Sequence, residues 1–174
     1  MHFKRNKYDP CVYNKRTKNG TVTVRTHVDD LKVSCKAFSE IKQVIDQLRD
    51  IYKEITVHEG DEHDYLGMIM RHDRQHGSVK INMMKYIEGT IETFLEEEPD
   101  QKLKQVLTPA TNNLFRTRND ECDKLSKKRA GTFHATVAKL LFVAKRARPD
   151  ILLAVSFLTT RVKQPDMDDW NKLI

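Results

Sequence analysis

The sequence predicts an α+β fold: an antiparallel sheet with helices on one face, followed by a small helical unit. Up to residue 98, β-branched strand patterns alternate with two amphipathic helix patterns, and beyond residue 113 the patterns are helical only. Strands joined by tight turns and then followed by helices are typical of α+β architecture. The polar connection 99–113 separates the two parts, so we predict one domain over 1–107 and a helical domain over 108–174.

Composition narrows the class of protein. The 174 residues are 39% hydrophobic and 32% charged, with a mean hydropathy of −0.65. No apolar run approaches the roughly 20 residues that a membrane-spanning helix needs, so we expect no membrane partner. Three widely spaced cysteines do not indicate a disulfide framework. We therefore expect a reducing, intracellular compartment, the cytoplasm.

Charge is strongly segregated along the chain. Residues 1–36 carry nine Lys/Arg and three Asp/Glu, residues 37–100 carry seven and fifteen, and residues 101–174 carry fifteen and seven. Basic surface attracts the phosphates of nucleic acids through release of counterions. The alternative is that these charges only solvate the outer faces of helices, and charge by itself favours that alternative.

The first strands form a predicted meander. Residues 11–15 form a short strand, Asn19 and Gly20 signal a hairpin turn, and residues 21–28 alternate valine with polar side chains. Residues 31–35 resume the strand pattern. The natural interpretation is a hairpin with Asp29 and Asp30 at its tip.

A helix and a second hairpin follow. The helix begins near Ser39, a good N-cap residue. Strands are expected at 65–70 and 78–82, joined by a polar loop at 71–77, and a second helix runs over 84–98 until Pro99 stops it. The apolar stripe of the first helix comprises Phe38, Ile41, Ile45, Leu48 and Tyr52.

The C-terminal part is predicted to be two helices separated by Pro149, with Asp150 capping the second. Trp170 is interpreted as a packing residue. The first helix buries Phe133, Val137, Leu140, Leu141 and Ala144, and the second buries Ile151, Val155, Leu158 and Val162.

The adjacent carboxylates of Asp29 and Asp30 suggest a metal site. Like charges this close repel, and a hard cation such as Mg²⁺, which prefers carboxylate oxygen, relieves that repulsion. Two such ions can stabilise the attacking and leaving oxygens of a phosphoryl displacement. The alternative is a plain turn, since aspartate favours turns through local hydrogen bonds.

Several motifs in order resemble a known family. The run from His27 to Asp30 resembles the Tyr-x-Asp-Asp hairpin of reverse transcriptases. Six further segments resemble copia-type retrotransposon enzymes: residues 9–15, 65–68, 107–109, 137–141, 148–151 and 154–156. The ordered set runs from about residue 3 to residue 170. The resemblance implies the C-terminal part of a palm followed by a thumb.

That resemblance implies an RNA-directed DNA polymerase, in which a primer 3′-hydroxyl attacks the α-phosphate of a deoxynucleotide. Asp29 and Asp30 would be the catalytic metal ligands, for Mg²⁺ or Mn²⁺, with His27 and Val28 beside the nucleotide. Partners would be an RNA/DNA primer–template and deoxynucleotides. A virus-like particle or the nucleus would be further locations beside the cytoplasm.

The resemblance also implies a primer-positioning turn, comprising Leu66, Gly67 and Met68. Glycine there would let the backbone approach the primer closely, although a β-bulge would explain Gly67 equally well. The helix over 133–148 resembles a thumb helix, whose phosphate contacts would be Lys139, Lys145, Arg146 and Arg148. For any one of those four, a solvated helix face is the competing interpretation.

The sequence departs from the family at three places. His27 replaces the usual tyrosine, and Ala138 stands where the family often has glycine. We expect the family's third catalytic aspartate, the fingers and the ribonuclease H portion to lie outside this sequence. A fragment of this kind would be a poor polymerase alone. The alternatives are a non-catalytic nucleic-acid-binding module, or decayed element, and a protein-interaction domain with an incidental Asp-Asp turn.

Overall fold

The computed structural model describes residues 1–118 and 122–174. Its described residues form two antiparallel sheets and five α-helices, which confirms the α+β class. The contacts divide the chain into two units, Met1–His58 and Glu59–Ile174. The predicted boundary between residues 107 and 108 lies inside the second unit and stays a prediction. Each unit is described by itself.

The first unit is built on a four-stranded meander in which neighbouring strands follow chain order. Its strands are β1 Lys4–Arg5, β2 Val12–Thr17, β3 Gly20–His27 and β4 Asp30–Ser34. Thr17 pairs with Gly20, so the turn residues are Lys18 and Asn19, and the predicted hairpin is confirmed with its turn one residue earlier.

Alternation along β3 gives the sheet two different faces. Val22 is fully buried, and Val24 on the same side pairs with Val33 of β4. The opposite side presents Thr23 and Arg25. Because side chains on a strand point alternately to opposite faces, this pattern fixes one apolar and one polar face.

A helix, α1 Phe38–Tyr52, follows the sheet and buries Val44 and Ile45. The predicted cap at Ser39 is wrong: the helix begins after Ala37, whose backbone is extended, and no side chain caps it. Instead, Asn19 donates a hydrogen bond of 2.8 Å to the buried carboxylate of Glu40, which ties the first turn of α1 to the β2–β3 turn. The predicted stripe is buried at its centre, while Phe38 and Tyr52 at its ends are exposed.

The second unit begins with a three-stranded meander of β5 Glu62–Tyr65, β6 Met68–Asp73 and β7 Ser78–Asn82. The predicted single strand over 65–70 is wrong, because a turn at Leu66 and Gly67 divides it. The loop predicted over 71–77 is also too long, because only residues 74–77 lie between the paired strands. β6 stays paired with β7 as far as Asp73, whose carboxylate then accepts the backbone N–H groups of Gln75 and His76.

Helices complete the second unit. They are α2 Met84–Glu97, α3 Lys127–Ala144, α4 Leu152–Thr159 and α5 Met167–Leu173, with a 3-10 turn at Pro149–Ile151. The predicted capping role of Asp150 is wrong, because its carboxylate pairs with Arg148 and α4 begins at Leu152 without a side-chain cap. The α5 helix begins with a capping box in which Asp166 and Asp169 satisfy each other's backbone N–H groups.

The core of the second unit joins α2, α3, α4 and α5. Trp170 is 1% exposed and stacks on Phe94 with ring centroids 5.6 Å apart, which confirms it as a packing residue. Arg161 pairs with the buried carboxylate of Asp169 at 3.0 Å, so this core also encloses an ion pair. The buried cluster comprises Phe94, Phe133, Val137, Val155, Leu158 and Trp170, as the helical periodicity predicted for α3 and α4.

Candidate functional site

The β3–β4 hairpin carries the aspartate pair. His27 pairs with Asp30, so the two-residue turn is Val28 and Asp29, and Asp30 is already the first residue of β4. The prediction that both aspartates lie at the tip is therefore correct for Asp29 and wrong by one residue for Asp30. A turn with positive φ at its first residue only has the pattern of a type II′ turn, which suits the right-handed twist of the flanking strands.

The turn is strained at Val28. Its φ is 55° and its side chain is 92% exposed. Glycine usually occupies this position, and a β-branched residue there costs on the order of 1–3 kcal/mol. The pairing of β3 with β4 up to His27 and Asp30 holds the turn in this conformation. Such strain is frequent at functional sites because the geometry matters there.

The donor set at this tip suits a hard cation but is incomplete. Asp29 and Asp30 are both exposed, and their carboxylate oxygens are the ligands that Mg²⁺ prefers. Among residues 1–118 and 122–174, no group of three or more His, Cys, Asp or Glu side chains could hold a metal ion. Mg²⁺ at this pair would therefore need water, substrate phosphates or a further carboxylate to complete its coordination.

Two cations lie on the same face of the sheet as Asp30, two residues further from the turn. Arg25 and Lys32 pair across β3 and β4, next to the pair formed by His27 and Asp30. Burial, with repulsion from Arg25 as the second cause, lowers the pKa of Lys32. Like charges directly opposite each other destabilise a sheet, and a bound anion relieves that cost. Sequence reasoning missed this pair, although Lys32 stands two residues after Asp30 and Arg25 stands four residues before Asp29 on strands that alternate.

The β5–β6 turn is the second candidate element. Leu66 and Gly67 have φ values of 54° and 71°, the pattern of a type I′ turn. Tyr65 pairs with Met68, and the ladder continues without an extra residue, so Gly67 is a turn residue rather than a bulge. A Cβ atom at Gly67 would lie 2.9 Å from Cδ2 of Tyr86, and a contact this close favours glycine.

Of the four predicted phosphate-binding cations, Lys139 lies within α3 and the other three follow its last residue, Ala144. Lys145, Arg146 and Arg148 are exposed, and Lys139 is half-buried. The guanidinium of Arg148 makes a two-pronged pair with Asp150, which raises the pKa of Arg148 and lowers that of the Asp150 carboxyl. A phosphate at Arg148 would compete with this carboxylate.

Arg146 is held differently. Its guanidinium carbon lies 3.6 Å from the ring centroid of Phe142, and one of its N–H groups donates to the Phe142 carbonyl at 3.1 Å. Neither of these two contacts of Arg146 involves a carboxylate, and its positive charge stays at the surface. The structure thus places two sets of candidates in two different units: the hairpin set in the first, and the turn and the cations in the second.

Comparisons with known proteins found two similar transposon proteins. The chain is 28% identical over 173 residues to a protein of the transposon Ty5-1 from Saccharomyces cerevisiae. It is 28% identical over 178 residues to a retrovirus-related Pol polyprotein from transposon TNT 1-94 of Nicotiana tabacum. Both alignments cover 94% of this chain. The chain is similar to retrotransposon proteins.

The similarity supports the prediction that this chain is a segment of a retrotransposon polyprotein. The chain spans half the length of the yeast relative and 12% of the tobacco relative. No protein-family model and no solved structure matches it. In the part of the chain that the structure describes, no helix is long and apolar enough to cross a membrane.

Proposed function

We propose that this chain is the palm and thumb portion of a reverse transcriptase encoded by a copia-type retrotransposon. The β3–β4 hairpin carries the proposal, because it presents Asp29 in a strained, exposed turn and Asp30 directly after it, at the start of β4. The similarity to a retrovirus-related Pol polyprotein supports it. The reaction would be nucleotidyl transfer to a primer 3′-hydroxyl, with pyrophosphate as the leaving group.

The carboxylates of Asp29 and Asp30 would hold Mg²⁺ or Mn²⁺, which when bound would stabilise negative charge on the attacking and leaving oxygens. His27 and Val28 would lie beside the nucleotide. Arg25 and Lys32 add positive charge near phosphate, on the face they share with Asp30.

The second unit would hold the primer–template. Leu66, Gly67 and Met68 would lie next to the primer end, and the cations Lys139, Lys145, Arg146 and Arg148 would contact backbone phosphates. Because two carboxylates bind two metal ions poorly, we propose that a third carboxylate and the fingers come from a polyprotein segment outside this chain. The isolated chain would then bind an RNA–DNA primer–template yet extend it slowly or not at all.

A non-catalytic nucleic-acid-binding module is the second candidate. The cross-strand pair of Arg25 and Lys32 favours it, since that pair attracts phosphate whether or not a metal binds. The two candidates differ in the role of Asp29. Simple phosphate binding does not weaken when a negative charge is removed, whereas metal-supported placement of the primer end requires that carboxylate.

The deciding experiment measures binding of an RNA–DNA primer–template with and without Mg²⁺, for wild type, Asp29→Asn and Asp50→Asn. Asp50 is an exposed aspartate on α1 in the same unit, so its variant loses the same charge away from the hairpin. The polymerase proposal expects Mg²⁺ to strengthen binding in wild type and Asp50→Asn but not in Asp29→Asn. Equal Mg²⁺ dependence in all three proteins would favour the simple binding module.

A further inference from the structure

A continuous stack connects the β5–β6 turn to the end of α3. Its first contact is between Gly67 and Tyr86. A Cβ atom at Gly67 would lie 2.9, 3.6 and 3.8 Å from three atoms of the Tyr86 ring, so the ring lies directly against the turn backbone. Tyr86 belongs to α2, which follows the meander, and its ring supplies all three of the nearest atoms among the described residues other than the two chain neighbours of Gly67.

The stack continues through two further groups. The rings of Tyr86 and Phe142 have centroids 5.1 Å apart at an angle of 34°, a tilted aromatic contact of favourable geometry. The guanidinium of Arg146 then lies 3.6 Å from the Phe142 centroid and also donates to the Phe142 carbonyl. The turn, α2 and the end of α3 are therefore joined by side chains in direct contact.

We propose that Tyr86 is a positioning residue that sets the place of the Leu66–Gly67 turn relative to Arg146. The inference rests on the proposed function, in which this turn lies at the primer end and Arg146 contacts a backbone phosphate. The aromatic ring is rigid, and it occupies the space that a Cβ atom at Gly67 would need. The stack thereby fixes the position of the primer end relative to the duplex backbone.

The positioning role of Tyr86 predicts that its loss changes the placement of the primer end but not the affinity for the duplex. In Tyr86→Leu, the β5–β6 ladder still forms the turn, and Arg146 still has the Phe142 ring and carbonyl. Contacts to phosphates remain, so overall binding of the duplex is retained. Only the link between turn and helix is lost. A small misplacement at a reacting centre is costly, so placement of the primer end is the quantity that changes.

The experiment uses the full chain and an RNA–DNA primer–template with 2-aminopurine as the last primer nucleotide. Its fluorescence change at saturation reports the surroundings of the primer end, and the anisotropy of a distant label reports the overall Kd. We expect Tyr86→Leu to reduce the fluorescence change about threefold or more while the overall Kd changes by less than about twofold. Tyr86→Phe keeps the ring and should behave as wild type.

Two controls separate the possible failures. Tyr8→Leu changes a fully exposed tyrosine and should alter neither readout. Circular dichroism and the emission of Trp170 show whether each variant is folded. An unchanged fluorescence signal in folded Tyr86→Leu overturns the inference alone. If wild type itself gives no signal at the primer end, the proposed function fails and the inference falls with it.

Discussion

Replacing Gly67 by alanine tests the close approach between the β5–β6 turn and α2. At a φ of +71°, the new side chain costs about 1–2 kcal/mol in backbone conformation. Its Cβ would also lie 2.9 Å from the Tyr86 ring. Overpacking of this kind costs about 1–3 kcal/mol. The free energy of unfolding of Gly67→Ala should therefore fall by about 2–5 kcal/mol.

Gly77→Ala is the matched control. Its φ is +62°, but a Cβ there would meet nothing within 4 Å, so only the backbone cost of about 1–2 kcal/mol applies. Both glycines lie in the second unit, whose core holds Trp170, the single tryptophan of the chain. Urea unfolding followed by tryptophan emission therefore measures both variants. Equal destabilisation by the two substitutions would refute the close contact with Tyr86.

Three further predictions concern other elements. Val28→Gly removes a strained φ and should stabilise the β3–β4 hairpin by about 1 kcal/mol, seen as about fivefold slower hydrogen exchange of its amides. Arg161→Met leaves the buried carboxylate of Asp169 without its cation and should lower the free energy of unfolding by about 3 kcal/mol in urea. Arg148→Gln should raise the pKa of Asp150 back towards its ordinary value in an NMR titration. The contribution of that ion pair to stability is present above the ordinary aspartate pKa and is lost as pH falls through the lowered one, so the two proteins should differ in stability at neutral pH and become equal at strongly acidic pH.

Local patterns predicted most of the elements. Valine alternation gave β3, and three- and four-residue spacing gave the buried faces of α3 and α4. Turn positions were less certain because they depend on pairing register. The division of the predicted strand over 65–70 was invisible to periodicity, since Leu66 is apolar and carries no turn signal. The resemblance of residues 65–68 to a reverse-transcriptase turn located it instead.

Long-range contacts explain what sequence could not supply. The ring of Tyr86 touches a glycine nineteen residues earlier and a phenylalanine on another helix, and no local pattern encodes either contact. No side chain caps α1, and its first turn is instead tied to the β2–β3 turn by the hydrogen bond from Asn19 to Glu40. The partner of Arg148 is close in sequence, but whether Asp150 would cap a helix or pair with a cation depended on where α4 begins.

The central claim is that the β3–β4 hairpin binds the metal ions of nucleotidyl transfer. Mn²⁺ broadens the amide NMR signals of nearby residues, so titration of ¹⁵N-labelled chain locates the ion directly. We predict selective broadening of Val28, Asp29 and Asp30, retained in Asp50→Asn and abolished in Asp29→Asn. Broadening that is no stronger at this hairpin than around Asp50, or that survives Asp29→Asn unchanged, would contradict the claim.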